Sequence, residues 1–406
     1  MPDTEFVNLF AVAAIALAAP LLLSLAPAVR VPAVVLEIVA GIVVGPSVLG
    51  WVHPDVPVEI VALLGLAFLL FLAGLEIDVR GLRGGVLRPA LLGYLITLGI
   101  GLAAGGGLRL LGWVQSPLLV AVALSATSLG LVVPVLKDAG RERGRLGQTV
   151  IAACSVADFA AVVVLSLLFS GSGGSTASRL VLLVAFAVLV VVTGAAVALA
   201  GRSRRLSATL VRLQDTTAEI RIRAAVVLLV AFVALAEAFG LESILGAFLA
   251  GAVVAVLDRD PSSHPRFRIK LEAIGYGFLI PVFFVTSGLR LDVTGLVAEP
   301  SALARVPLFL AALLLARGLP ALLYHRVLGR TSIAAAALLQ ATSLPFLVTA
   351  SQIGVETGLM SQVTAAALVC AGLLSVLIFP ATALSLLRRT GSRAEPEPAV
   401  RRPREG

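Results

Sequence analysis

Apolar runs of helix length recur along almost the whole chain, near residues 6–28, 33–48, 57–76, 88–108, 117–136, 147–169, 179–200, 223–239, 243–257, 271–288, 303–323, 332–353 and 359–386. A hydrocarbon core about 30 Å thick accommodates roughly 20 residues of helix. Backbone N–H and C=O groups in lipid must be satisfied within the protein, so repeated spans of this kind fold as helices. The sequence therefore predicts an all-α polytopic membrane protein of about 13 transmembrane helices. Only 13% of its 406 residues are charged, against about 25% in a soluble domain. The second, fifth, ninth and twelfth runs are short or interrupted by Gly and Pro. Acidic residues stand near the N-terminus where a secretory signal carries positive charge, so the first run is expected to remain as a span. Cys154 and Cys370 lie inside apolar runs and offer neither a disulfide framework nor metal-ligand spacing.

The formal charge of +8 would suggest nucleic acid in a soluble protein, but here the basic residues sit between apolar runs and encode topology. Loops and tail after odd-numbered spans hold 26 of the 31 Lys and Arg residues. Loops after even-numbered spans hold Arg109, Arg179, Arg290 and Arg305, and Arg317 falls inside a span. The positive-inside rule then puts the odd loops and the C-terminus in the cytoplasm and the N-terminus outside, in the plasma membrane.

The chain also repeats itself. Gly74-Leu75-Glu76-Ile77-Asp78 at the end of the third run matches Gly288-Leu289-Arg290-Leu291-Asp292 at the end of the tenth, at an offset of 214. Ala126-Thr127-Ser128-Leu129 recurs as Ala341-Thr342-Ser343-Leu344 at offset 215, and Ala40-Gly41 pairs with Ala250-Gly251 at offset 210. Each pair is seven spans apart, so the copies face opposite ways: two inverted repeats of about five helices, near 33–169 and 243–386. Such repeats place a binding site at the midplane between discontinuous helices. Pro134 and Pro345, following the two polar pairs, are expected to break each helix there, bringing four hydroxyls and freed carbonyls together. Taken singly, each Ser or Thr is as readily explained by a bond back to its own helix.

An ionisable side chain at the centre of a span costs about 2.5–3.5 kcal/mol on insertion scales, which makes each one a functional candidate. Asp158 lies about 16 Å into the sixth run, and proton and cation compete there for one carboxylate. Ser155, Thr127 and Ser128 are the nearby oxygen donors. Arg317 is too deep to reach the interface and needs a partner, either an intramembrane carboxylate such as Asp158 or the carbonyl ends of the broken helices. Glu37 can pair or line a path, Glu237 and Glu242 read as rim residues, and Glu76, Asp78 and Asp292 read as helix-end caps. His53, His264 and His325 stand at segment ends, so there is no zinc-protease helix, and no phosphate-binding loop of the P-loop type occurs. The chain reads as a transporter rather than an enzyme, with no cofactor.

At these residues the sequence resembles the cation:proton antiporter family 2, which includes bacterial sodium/proton exchangers and Kef-type potassium efflux systems. The resemblance is carried by Pro32-Ala33-Val34-Val35-Leu36-Glu37-Ile38 with Gly45-Pro46-Ser47-Val48-Leu49-Gly50. It continues in Phe71-Leu72-Ala73-Gly74-Leu75-Glu76-Ile77-Asp78 and in Ser125-Ala126-Thr127-Ser128 with Pro134-Val135-Leu136-Lys137. It implies that Asp158 carries the ion, that Arg317 is the basic residue of the eleventh span, and that the protein is a homodimer whose core domain moves against a dimerisation domain. Where electrogenic members have two adjacent carboxylates this chain has Ala157-Asp158, which points to electroneutral exchange. Kef-type members continue into a cytosolic nucleotide-binding domain, whereas 20 Arg- and Pro-rich residues follow 386 here. The expected organisation is a transmembrane antiporter domain over 1–386 and a disordered basic cytoplasmic tail over 387–406. The expected function is exchange of Na⁺, K⁺ or Li⁺ for H⁺ by alternating access, with Asp158 as the metal-ion ligand, Thr127, Ser128 and Ser155 supplying oxygens, and Arg317, Thr342, Ser343 and Glu37 in support. The alternative is a sodium-coupled symporter of an organic anion, with Arg317 facing the substrate carboxylate.

Overall fold

A computed structural model of the chain describes residues 6–25, 32–76, 87–169, 176–200, 219–257 and 265–391. Asp78 of the repeated motif and residues 392–406 of the expected tail lie outside them. The described residues are helical with short connections. In chain order they form α1 (Val7–Leu25), α2 (Ala33–Val44), α3 (Val56–Leu75), α4 (Leu87–Leu110), α5 (Pro117–Ser125), α6 (Leu129–Asp138), α7 (Arg145–Phe169), α8 (Thr176–Ala200), α9 (Ile220–Ala238) and α10 (Ser243–Leu257). There follow α11 (Pro265–Ile274), a π turn (Gly275–Leu279), α12 (Ile280–Leu289), α13 (Val293–Ala298), α14 (Pro300–Gly318) with a 3-10 extension (Leu319–Tyr324), α15 (Arg330–Gln340), α16 (Pro345–Glu356) and α17 (Gln362–Gly391).

Among the described residues, nine helical segments are long and apolar enough to cross a membrane, and Ala33–Val44, Leu180–Thr193 and Ser243–Leu257 are shorter apolar helices. Helix α9 has span length but carries Arg221, Arg223 and Glu237. Helix α17 continues to Gly391, past the boundary expected at 386. Lipid-facing positions are as apolar as the core: Leu63, Leu95 and Val191 are each more than 60% exposed, which suits a hydrocarbon solvent and not water.

The helices pack as two bodies. One is a panel of α1, α2, α3, α9, α10, α11 and α12; the other is a bundle of α4 to α7 with α13 to α17. Helix α7 is the bundle's main element of contact with the panel, through α10, and α8 lies against both. Phe159 on α7 meets Phe248 on α10 with ring centroids 6.0 Å apart.

Glycines of the repeated sequence pin the panel. A Cβ on Gly41 of α2 would collide with the carbonyl oxygen of Val285 in α12, and one on Gly288 with that of Ile38. In the pair related by the repeat, a Cβ on Gly74 of α3 would strike the carbonyl of Phe248 in α10, and one on Gly251 that of Phe71. Small residues let membrane helices touch backbone to backbone, where van der Waals packing replaces the hydrophobic drive that lipid cannot supply. The first and second copies of the repeat thus meet in two equivalent crossings, α2 on α12 and α3 on α10. Replacing Gly41 or Gly251 by Val is expected to lower the melting temperature in detergent by several degrees. Gly106→Ala and Gly107→Ala, where nothing lies within 4 Å of the added Cβ, are expected to leave it unchanged or raise it slightly.

Candidate functional site

Two helices of the bundle break where the tetrapeptide repeats. Helix α5 stops at Ser125 and α6 starts at Leu129, leaving residues 126–128 non-helical, with Ala126 extended (φ −82°, ψ 161°). Helix α15 stops at Gln340 and α16 starts at Pro345. Pro345 has no N–H and disfavours helical geometry at Leu344, whose φ is −142°, so it sets the second break as expected. Pro134 does not set the first: it lies inside α6.

The broken ends satisfy one another. The Ser128 N–H donates to the Thr342 carbonyl at 2.9 Å, and the Leu344 N–H donates to Ser128 Oγ at 3.1 Å. Thr127 Oγ1 donates to the Gln340 carbonyl at 2.9 Å. Each half-helix end carries about half an elementary charge, positive at the N-terminus and negative at the C-terminus, and the chain supplies a counter-charge of the right sign. At the N-terminal end of α6, Asp158 Oδ1 accepts from the Thr127 N–H at 2.8 Å and Oδ2 from the Leu129 N–H at 3.4 Å. At the C-terminal end of α15, Arg317 Nε donates to the Gln340 carbonyl at 3.3 Å and to Thr127 Oγ1 at 2.9 Å, and Nη2 donates to the same hydroxyl. Arg317 is only 2% exposed.

Of the two partners the sequence offered Arg317, the structure takes the carbonyl end, and Arg317 makes no ion pair with Asp158. Asp158 and Arg317 are joined through Thr127, whose N–H serves the one and whose hydroxyl serves the other. A carboxylate has about four lone-pair sites, and two N–H donors leave Asp158 with unused acceptor capacity.

That capacity faces a cavity of about 360 Å³ between bundle and panel. Thr127, Ser128 and Asp158 line it from the bundle, and Leu69, Glu76, Phe248 and Tyr276 line it from the panel. It lies at the C-terminal end of α3. A second cavity of about 580 Å³ lies at the N-terminal end, walled by Pro54, Ser287, Asp292, Gln352 and Glu356 among others, and Asp158 does not reach it. Between the bodies on that side, Gln352 Nε2 donates to Ser287 Oγ at 3.4 Å.

The other sequence candidates are placed as follows. Ser155 is buried one turn before Asp158 and its Oγ has no hydrogen-bond partner, though it is not a wall of the cavity. Thr342 bonds back to the Leu338 carbonyl. Ser343 is tied through its backbone to Ser375 on α17, and its own hydroxyl is an unpartnered buried atom. The four hydroxyls therefore do not converge: Thr127 and Ser128 of the first break are residues of the cavity wall, and Thr342 and Ser343 of the second are not. Glu37 is buried in α2, one turn beyond the cavity-lining Val34, and does not itself line the space. Glu76, read from sequence as a helix-end cap, turns its carboxylate into the cavity; only the knowledge that α3 ends beside α6 would have revealed this.

The sodium/hydrogen exchanger transmembrane family matches residues 13–389. The chain belongs to this family. It is 30% identical over 404 residues to the putative Na⁺/H⁺ antiporter YjbQ of Bacillus subtilis, covering 96% of this chain and 64% of that protein. It is 30% identical over 277 residues to the Na⁺/H⁺ antiporter of Enterococcus hirae, covering 64% and 67% respectively. The sodium proton antiporter MjNhaP1 of Methanocaldococcus jannaschii, solved at pH 8, has the same fold, with a TM-score of 0.64 at 18% identity over 94% of this chain and 98% of that one. The chain thus spans just under two thirds of the length of YjbQ.

Thr127 is the shared residue of the anionic and cationic halves of the crossing. Thr127→Val keeps the N–H bonded to Asp158 but removes the hydroxyl from Arg317. It is expected to destabilise the protein by about 2 kcal/mol, the cost of stripping a buried charged donor of its acceptor, with Thr127→Ser restoring stability. Thermal unfolding in detergent measures both.

Proposed function

We propose that the chain exchanges a monovalent cation, Na⁺ or alternatively K⁺ or Li⁺, for H⁺ across the plasma membrane by alternating access. The observation that carries this reading is Asp158. It is a mid-span carboxylate between the two bodies, held by two backbone N–H groups, with its remaining acceptor capacity turned to the cavity at the C-terminal end of α3 and not to the one at the N-terminal end. A desolvated carboxylate at such a place needs a proton or a cation to neutralise it, and the two cannot occupy it together. Relatives agree with this reading: besides those above, GerN of Bacillus cereus, 28% identical over 307 residues, is an Na⁺/H⁺–K⁺ antiporter.

Thr127 and Ser128 present carbonyl or hydroxyl oxygens beside Asp158, and the unpartnered Ser155 hydroxyl is a further ligand once the helices rearrange. The cavity opens at the ends of α3 and α11, which the distribution of basic residues puts on the cytoplasmic side, so this conformation faces inward. Movement of the bundle past the panel about the α7 contact would close it and open the second cavity. With Ala157 beside it, Asp158 carries one proton or one monovalent cation, which makes the cycle electroneutral. The reading includes a homodimer with its N-termini outside and its C-termini in the cytoplasm. The symporter alternative requires Arg317 to meet a substrate carboxylate; here its guanidinium is buried against Thr127 and Gln340 and lines neither cavity.

In proteoliposomes with an acid interior, external Na⁺, K⁺ or Li⁺ is expected to alkalinise the lumen through the wild type and not through Asp158→Asn, and a membrane potential is expected to leave the rate unchanged. No response to any of the three ions, or full activity in Asp158→Asn, would overturn the assignment.

A further inference from the structure

The cavity holds a second carboxylate. Glu76, the residue that ends α3, lines it together with Glu272 of α11 and Tyr276 of the π turn. Its Oε2 is buried and has no hydrogen-bond partner. A π turn inserts an extra residue into a helix and re-aims the side chains that follow, and such turns recur at functional sites. Here it accompanies the placement of Tyr276 against the start of α6. The point where Gly130 would carry a Cβ lies 3.4 Å from the Tyr276 hydroxyl and 3.7 Å from each Glu76 carboxylate oxygen. A methyl group at residue 130 would therefore stand in van der Waals contact with three oxygens of Glu76 and Tyr276, where Gly leaves the position open. Gly130 follows Leu129, whose N–H holds Asp158, so this point adjoins the Asp158 site.

The internal repeat argues that this carboxylate is not needed to end the helix. The residue equivalent to Glu76 at offset 214 is Arg290, which ends α12 with the same backbone geometry and an opposite charge. Arg290 lies by the second cavity, and its Nη2 is paired with Glu59 at 3.2 Å. Among the described residues, the charged groups that act on Glu76 are Asp158, Glu272 and Arg268. Arg268 Nη2 also donates to the Leu75 carbonyl at 2.9 Å.

We propose that Glu76 and Tyr276, with Gly130 leaving room between them, form a second monovalent-cation site in the cavity, a station through which a cation passes between Glu272 and Asp158. The inference rests on the antiport reading for the identity of the ion. Two-cation occupancy is brief during transport, and the site serves to collect cations on the face that opens at α3.

Calorimetric titration of the purified full-length protein with NaCl, KCl and LiCl tests it apart from transport. Asp158→Asn is expected to retain one weak cation-binding event, and Asp158→Asn combined with Glu76→Gln is expected to lose it. Asp158→Asn combined with Gly130→Ala fills the same space without removing charge, suits a helix better than Gly, and is expected to lose the event as well. With Asp158 intact, Glu76→Gln is expected to raise the KM for the cation about five-fold from the α3 face and to leave the maximal rate unchanged. Loss of all binding in Asp158→Asn alone, or binding in the double variants equal to that in Asp158→Asn, would overturn the second site while leaving the antiport reading intact. A wild type that binds none of the three cations would overturn both.

Discussion

The hydrogen bonds that Thr127 makes in two directions hold the site together. Its N–H binds the Asp158 carboxylate and its hydroxyl joins Arg317 to the carbonyl end of α15. Breaking two helices inside a membrane frees backbone donors and acceptors that lipid cannot satisfy. The chain answers by crossing the breaks, so that one helix's free N–H meets the other's free carbonyl, and by setting an anion at one uncompensated end and a cation at another. Neutralising the ends from within the bundle leaves the broken region soluble in a low-dielectric interior while still offering an unsaturated carboxylate to a cavity.

The panel has the complementary property. Its crossings are fixed by glycines pressed against the facing helix backbone, Gly41 and Gly288 in one and Gly74 and Gly251 in the other, so its helices have little freedom to slide. Asp158, Thr127 and Ser128 sit on the bundle, and the panel contributes the opposite wall of the cavity. Contact between the bodies runs chiefly through α7, the helix that carries Asp158. A rigid wall and a separate body bearing the site are what alternating exposure requires physically: the site changes sides if the bundle shifts, without any helix unfolding.

Much of this was legible in the sequence because the membrane imposes one-dimensional rules. Apolar run length gave the helices, and the tetrapeptide repeat marked both breaks, since its Ser and Thr residues bond across them. The mid-span position of Asp158 singled it out before any geometry was known. What the sequence did not yield depended on which elements lie side by side. Pro134 looks like a helix breaker, yet α6 carries it internally, and the first break is held instead by bonds to α15 and Asp158. Thr342 and Ser343 have the same composition as Thr127 and Ser128, but they are not residues of the cavity wall, so the hydroxyls are not equivalent. Glu76 reads as a cap because its role is set by α6 and the π turn, neither of which is near it in the chain.

The central claim is that a cation and a proton compete for the same carboxylate, and proton release on cation binding tests it directly. Weakly buffered, purified protein titrated with Na⁺, K⁺ or Li⁺ near the pH where Asp158 is protonated should release about one proton per cation bound at that carboxylate, and Asp158→Asn should lose that release. Cation binding by the wild type with no release of protons at any pH, or the same release from Asp158→Asn, would contradict the account.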